Sequence, residues 1–309
     1  VSERGEREHR AGDVIDGRYT LVAPLGKGSY GLVWSARDRE GEPVAIKLLY
    51  AKHKAHRKKL QRFQQEAKIL ARLRHPNIAR LIDSNVECED AYLAMELIEG
   101  DQLHARLDAL AASGKKLPLE GAAWIGEQLA AALDEAHRKH VVHRDLKPKN
   151  VMVNRPNTAP FVKVLDFGIA KMLLGSQVDP TTVGRVLGSL LYVAPEQLLS
   201  RPLDHRVDVF ALGSILFELV TMKRAWARDR QGRPLPWKYG AGDEEINSHI
   251  AIAKRIAYEP RPRASQERSG VPKAVDRVFE RALAIEAADR HDSCLALVAA
   301  FRDALHDRM

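Results

Sequence analysis

Up to about residue 97 the apolar positions come in short runs separated by turns; beyond it they recur every three or four residues. Runs at residues 19–25, 32–37, 43–49, 78–86 and 92–97 predict five strands, with turns around Gly41 and over 87–90. Leu60, Phe63, Ala67, Leu70 and Leu73 stand at helical spacing and predict one helix over 57–74, ended by His75-Pro76. Past residue 100, Ile125, Leu129, Leu133 and Ala136 mark a helix ending near Lys139. Residues 207–220 are apolar nearly all round, which predicts a fully buried helix. Further helices are expected over 244–258, 275–285 and 295–305. Strands first and helices afterwards make the fold class α+β.

Two stretches carry no period. Residues 171–191 contain Thr181, Thr182 and Ser189, and a long irregular segment in a compact domain is usually functional. Residues 225–242 are rich in Pro, Gly and Arg and hold Trp226 and Trp237. Residues 1–13 are polar and unpatterned, as at a frayed terminus.

Composition narrows the classes. Lys plus Arg exceed Asp plus Glu by 49 − 41 = 8. Apart from the run at 52–59 the charge is spread out, and no aromatic interleaves that run, so nucleic acid is not an expected partner. The two cysteines, Cys88 and Cys294, are far apart, which excludes a disulfide scaffold. No apolar run is long enough to span a bilayer. The expected location is the cytoplasm, either as a free domain or as the cytosolic part of a longer, membrane-anchored protein.

The chemistry concentrates in residues 141–166. Asp145, Lys147 and Asn150 share one short loop, and the strand at 161–165 delivers a second acid, Asp166, ahead of Gly168. Two acids and an amide at the ends of adjacent strands can hold a divalent metal and orient a hydroxyl for attack on phosphorus. Upstream, Gly26, Gly28 and Gly31 form GxGxxG followed by strand rather than helix, which favours a hairpin over phosphates to a dinucleotide fold. Lys47 lies inside an apolar strand, where an unpaired ammonium is costly. Glu66 shares the inward face of the 57–74 helix and is the expected partner. His137, His140 and His143 are evenly spaced, but no fixed acid or thiol completes a set, so a metal reading of the three is rejected.

The motifs from Gly26 to Val33, Val44 to Lys47, Glu66, His143 to Asn150, Asp166-Phe167-Gly168 and Ala194-Pro195-Glu196 together resemble the protein kinases. Within that superfamily they resemble the bacterial eukaryotic-like serine/threonine kinases, over roughly residues 18–306. The resemblance implies a bilobal protein-kinase-like fold. A small lobe would have an antiparallel five-stranded sheet and one main helix, and a larger lobe would be mostly helical. The implied boundaries are 1–13 disordered, 14–96 N-lobe, 97–100 hinge and 101–309 C-lobe.

It also implies roles. Asp145 orients the substrate hydroxyl and accepts its proton, and Lys147 neutralises the transferred phosphoryl group. Lys47 contacts phosphates, held by Glu66. Asn150 and Asp166 bind metal. ATP is contacted by Leu25, Gly26, Gly28, Gly31, Val33, Ala45, Met95, Glu96, Ile98 and Met152. Arg144 receives a phosphate from Thr181 or Thr182, and Ser189 positions the substrate. His143 and Phe167 are packing residues, Glu196 pairs with Arg290, and Asp208 ties down the catalytic loop. The implied cofactors are ATP and Mg2+, with Mn2+ as the alternative metal. The implied partners are proteins bearing Ser or Thr, and a second copy of the chain in a homodimer. Two other readings stand beside a kinase of protein serines and threonines: a nucleotide-binding pseudokinase scaffold and a small-molecule phosphotransferase. Retention of Lys47, Asp145, Asn150 and Asp166 weighs against the scaffold, and the segment ending in Ala194-Pro195-Glu196 against the phosphotransferase.

Overall fold

Val44 to Leu49 is buried at every position, so this strand must lie inside a sheet. The computed structural model describes residues 9–27, 31–50, 53, 56–154, 161–167, 190–227 and 249–307. The first strands are β1 (Val14–Ile15), β2 (Tyr19–Lys27), β3 (Gly31–Arg37) and β4 (Pro43–Leu49), followed by helix α1 (Arg57–Leu70). β5 (Leu81–Asn85) and β6 (Tyr92–Glu96) complete an antiparallel sheet of order β1-β2-β3-β4-β6-β5. One strand more than expected is present, because β1 has only two residues and leaves no alternation to read. Ile15, Leu21, Trp34, Ile46, Leu48 and Tyr92 pack on one face. Alternation sends Ala45 and Lys47 to the other. Lys47 lies opposite Val33 on one side and Leu93 on the other. Ile78, expected at the start of a strand, is buried in an isolated β-bridge just after a turn, its N–H bonded to His75 O at 3.0 Å, and the strand itself begins at Leu81. A buried bridge residue and a strand residue read alike in sequence.

By density of contacts the chain divides into two units, the first ending at Glu99 and the second beginning at Gly100. The second opens with β7 (Gly100–Gln102), α2 (Leu103–Ala112) and α3 (Leu119–Arg138). β8 (Val151–Asn154) and β9 (Val162–Val164) join β7 in a three-stranded antiparallel sheet. The helices that follow are α4 (Pro195–Leu198), α5 (Arg206–Thr221), α6 (His249–Tyr258), α7 (Ala264–Glu267), α8 (Lys273–Ala282) and α9 (Cys294–His306). Every residue of α5 from Val207 to Thr221 is buried, as its unbroken apolar run predicts. α3 crosses α5 at Gly126, where a Cβ would lie 2.7 Å from Leu216 Cδ2, so a larger residue there requires the Leu216 side chain to shift. Phe217, Phe279 and Phe301 stack in series from α5, α8 and α9. Among the described residues no helix is long and apolar enough to cross a membrane.

Candidate active site

In the first unit, Lys47 Nζ lies 2.6 Å from Glu66 Oε1, with each side chain 11% exposed. The expected pair is formed. Burial makes each charge depend on the other, since an ammonium or carboxylate left alone there would be strongly unfavourable. Around it, Ala45 is buried opposite Met95, and Val33 and Met95 are half-buried. Glu96 ends β6 with its N–H on Arg80 O at 3.0 Å and its Oε1 on Arg80 N at 2.8 Å. Ile98 follows, half-buried, and Leu25 is 54% exposed on β2.

The glycines separate by cause. A Cβ on Gly31 would sit 1.6 Å from Leu48 O, so the sheet itself demands glycine there. A Cβ on Gly26 would meet nothing within 4 Å, so the fold makes no such demand. Gly28, Gly168, Thr181, Thr182 and Ser189 lie outside the described residues.

In the second unit, one buried carboxylate holds the loop that carries Asp145, Lys147 and Asn150. Asp208, fully buried in the first turn of α5, accepts from His143 N at 2.7 Å and from Arg144 N at 2.9 Å. Arg144 adopts a left-handed backbone, φ 64°, and these bonds offset that strain. His137, one residue from the end of α3, places Nε2 2.7 Å from the same Asp208 carboxylate. Burial opposes a charge on His137, but the carboxylates of Asp134 and Asp208 outweigh it and hold the imidazole up at about 9. Asp208 itself is held below the usual carboxylate range: burial opposes this, and His137 leads the groups that overcome it.

The loop's own contacts give it shape. Lys147 Nζ lies 2.8 Å from Asp145 Oδ2. Asn150 Nδ2 donates to Asp145 O at 2.9 Å, which leaves Oδ1 as its ligand end. Leu165 N donates to Asn150 O at 2.8 Å, so β8 and β9 deliver Asn150 and Asp166 at the same end of their hairpin. Asp166 is also left-handed, φ 42°. His143 is fully buried, its Nε2 is 3.0 Å from Leu165 O, and its ring lies 4.7 Å from that of Phe167. Met152 is half-buried on β8. Gln197 Nε2 donates to Arg144 O at 2.9 Å, tying α4 to the loop. The expected pair of Glu196 and Arg290 is formed and buried.

These groups suit a nucleotide and a divalent metal. The amide and acid at the hairpin end are hard oxygen donors. Gly26 leaves room beside the backbone that nothing in the fold requires.

Comparison with known proteins decides the family. Residues 19–281 match the model of the protein kinase domain. The chain belongs to the protein kinase family. This kinase domain is 36% identical to serine/threonine-protein kinase Pkn1 of Myxococcus xanthus, over 94% of this chain and 38% of that protein. It is also 36% identical to PkaA of Streptomyces coelicolor, over 89% of this chain and 48% of the relative. The chain thus spans about half or less of the length of these curated relatives. Among solved structures, the PknI kinase domain of Mycobacterium tuberculosis superposes with a TM-score of 0.68 at 26% identity, covering 96% of this chain and 98% of that one. Kinases of this family use ATP and a divalent metal.

Three features of the kinase domain escaped the sequence. The bond from His137 to Asp208 links residues 71 apart. Tyr192 Oη donates to the buried Glu218 Oε2 at 2.5 Å, across 26 residues of sequence. Third, His137 meets Asp134 and Cys294, while His140 is exposed with φ 58° and the three evenly spaced histidines do not converge, in line with the rejected metal set.

Proposed function

We propose that the chain transfers the γ-phosphoryl group of ATP to serine and threonine hydroxyls of proteins. The observation that carries this reading is the catalytic loop, in which Asp145, Lys147 and Asn150 are locked together and anchored by Asp208. Asp145 orients the hydroxyl and takes its proton as the new O–P bond forms and the bond to the ADP oxygen breaks. Lys147, already within 2.8 Å of Asp145, balances charge on the group in transit. Lys47, fixed by Glu66, holds the α- and β-phosphates. Gly26, Gly28 and Gly31 cover the phosphates. Leu25, Val33, Ala45, Met95, Glu96, Ile98 and Met152 receive the adenine. Asn150 and Asp166 are the metal ligands. The bound metal, Mg2+ or Mn2+, supplies positive charge that neutralises the phosphates. Lys147 two residues after Asp145 supports serine/threonine over tyrosine.

Boundaries follow the same reading: 14–96 as N-lobe, 97–100 as hinge, 101–309 as C-lobe. Regulation is part of it. Arg144 Nε is buried and has no hydrogen-bond partner among the described residues, as expected of a guanidinium that awaits an anion. Phosphate on Thr181 or Thr182 is the anion we assign to it, and substrate positioning is the role we assign to Ser189.

The test is incubation with γ-labelled ATP, Mg2+ and a generic basic protein, followed by phosphoamino-acid analysis. Label on serine and threonine supports the proposal. Label on a small molecule alone, or nucleotide binding without transfer, contradicts it.

A further inference from the structure

His137 spends only one ring nitrogen on Asp208. Its Nδ1 is buried and has no hydrogen-bond partner among the described residues, in a side chain only 10% exposed. A buried ring nitrogen with an ion-pair neighbour but no hydrogen bond calls for an explanation. Nδ1 faces Asp134 Oδ1 at 3.7 Å, beyond hydrogen-bond reach. The third member is Cys294, the first residue of α9 and fully buried. Asp134 brings it there, because its two carboxylate oxygens accept from Cys294 N at 3.2 Å and Leu295 N at 3.4 Å. One ligand atom from each of Asp134, His137 and Cys294 lies within 4.8 Å of the others.

We propose that Asp134, His137 and Cys294 form a binding site for a thiophilic divalent cation, Zn2+ by its ligand chemistry, separate from the phosphotransfer metal. Thiolate, imidazole and carboxylate are the ligand types zinc takes, and tetrahedral bonds of about 2.0–2.3 Å place ligand atoms roughly 3.3–3.8 Å apart. The 3.7 Å between His137 Nδ1 and Asp134 Oδ1 already falls there. Asp208, on Nε2, is the outer carboxylate that orients a metal-bound imidazole. The exchange balances: one proton leaves Cys294 Sγ and one leaves His137 Nδ1 as one dication enters, so the buried charge is unchanged. Water completes the coordination from the side of Asp134, whose side chain is 16% exposed. Mg2+ is a hard cation and does not compete for a thiolate site. The consequence is mechanical: the cation clamps α3 to α9 beside the carboxylate that holds His143 N and Arg144 N.

The test uses the whole chain stripped of metal by a chelator and titrated with Co2+. A thiolate-to-cobalt charge-transfer band should grow to saturation at one equivalent and vanish on addition of Zn2+. Cys294→Ala should abolish the band while Mg2+-dependent phosphotransfer persists. Asp134→Asn, which leaves the thiol in place, should weaken cobalt binding at least about tenfold, and Asp208→Asn by about 10–100-fold. Zn2+ should raise the thermal midpoint of the parent chain and leave that of Cys294→Ala unmoved. Absence of the band, its survival in Cys294→Ala (which would point to Cys88), or indifference to Asp134→Asn would overturn the proposal.

Discussion

Arg290 grips Glu196 through two bonds, Nη1 to Oε1 at 2.6 Å and Nη2 to Oε2 at 2.7 Å, although the residues are 94 apart in the chain. The guanidinium is fully buried and its remaining N–H groups reach Ala284 O, Arg206 O and Ile285 O, so all five donors are used. It also lies 5.0 Å from the centroid of Phe210, which in turn stacks parallel to Trp226. Arg290→Ala would leave Glu196 buried and uncompensated, a loss of about 3–5 kcal/mol. At about 2–4 °C per kcal/mol for a unit of this size, calorimetry should show a drop of roughly 6–20 °C. Arg290→Lys should recover little, because an ammonium cannot make the fork.

The pair of Lys47 and Glu66 predicts a different signature. Glu66→Gln keeps the shape of the side chain and removes the charge that aims Lys47. The chain should still fold, at reduced stability because Lys47 keeps a buried charge without its counter-ion, while kcat/KM for ATP falls by about 100-fold, the scale of a 1 Å misplacement. Steady-state kinetics at varied ATP, beside circular dichroism, checks this. Unchanged kinetics would mean that the pair serves stability alone.

Glu218 sets a pH dependence. Burial pushes its carboxyl up to about 8 against an opposing bond from Tyr192. The native chain therefore keeps this proton to about pH 8, whereas the unfolded chain releases it near 4.5. Between those values the unfolded state binds fewer protons, so stability falls as pH rises, by up to about 1.4 kcal/mol per pH unit from this group. Below 4.5 and above 8 its contribution to the slope ends. Denaturant melts of Glu218→Gln should show a flatter profile across that window and a relative gain at its upper end. Parallel profiles for the two proteins would contradict the assignment.

Arg144 predicts modification. After incubation with ATP and Mg2+, mass spectrometry should find phosphate on Thr181 or Thr182, and Arg144→Gln should lose the rate increase that follows it. Phosphate on neither threonine would remove the regulatory reading.

Legibility in the sequence followed distance along the chain. Asp145, Lys147 and Asn150 were readable because one loop carries them, and Lys47 because a charge interrupts an apolar strand. Glu66 was readable because it breaks an apolar helical face, and Asp208 only through the family resemblance. β7 was not, since Gly100, Asp101 and Gln102 are all exposed and carry no pattern. The contact between Asp134 and Cys294 spans 160 residues, and neither residue shows in sequence that the other approaches. The three evenly spaced histidines do not share a face, because a helix ends between His137 and His140 and the common face ends with it.

The most direct measurement of the central claim is single-turnover phosphoryl transfer from labelled ATP by the parent chain and by Asp145→Asn, with nucleotide affinity measured alongside. The variant should bind nucleotide as tightly as its parent and transfer about 10²–10⁴-fold more slowly, the scale of a lost general base. Equal transfer rates would show that Asp145 does not handle the substrate proton, and the proposed mechanism would fall.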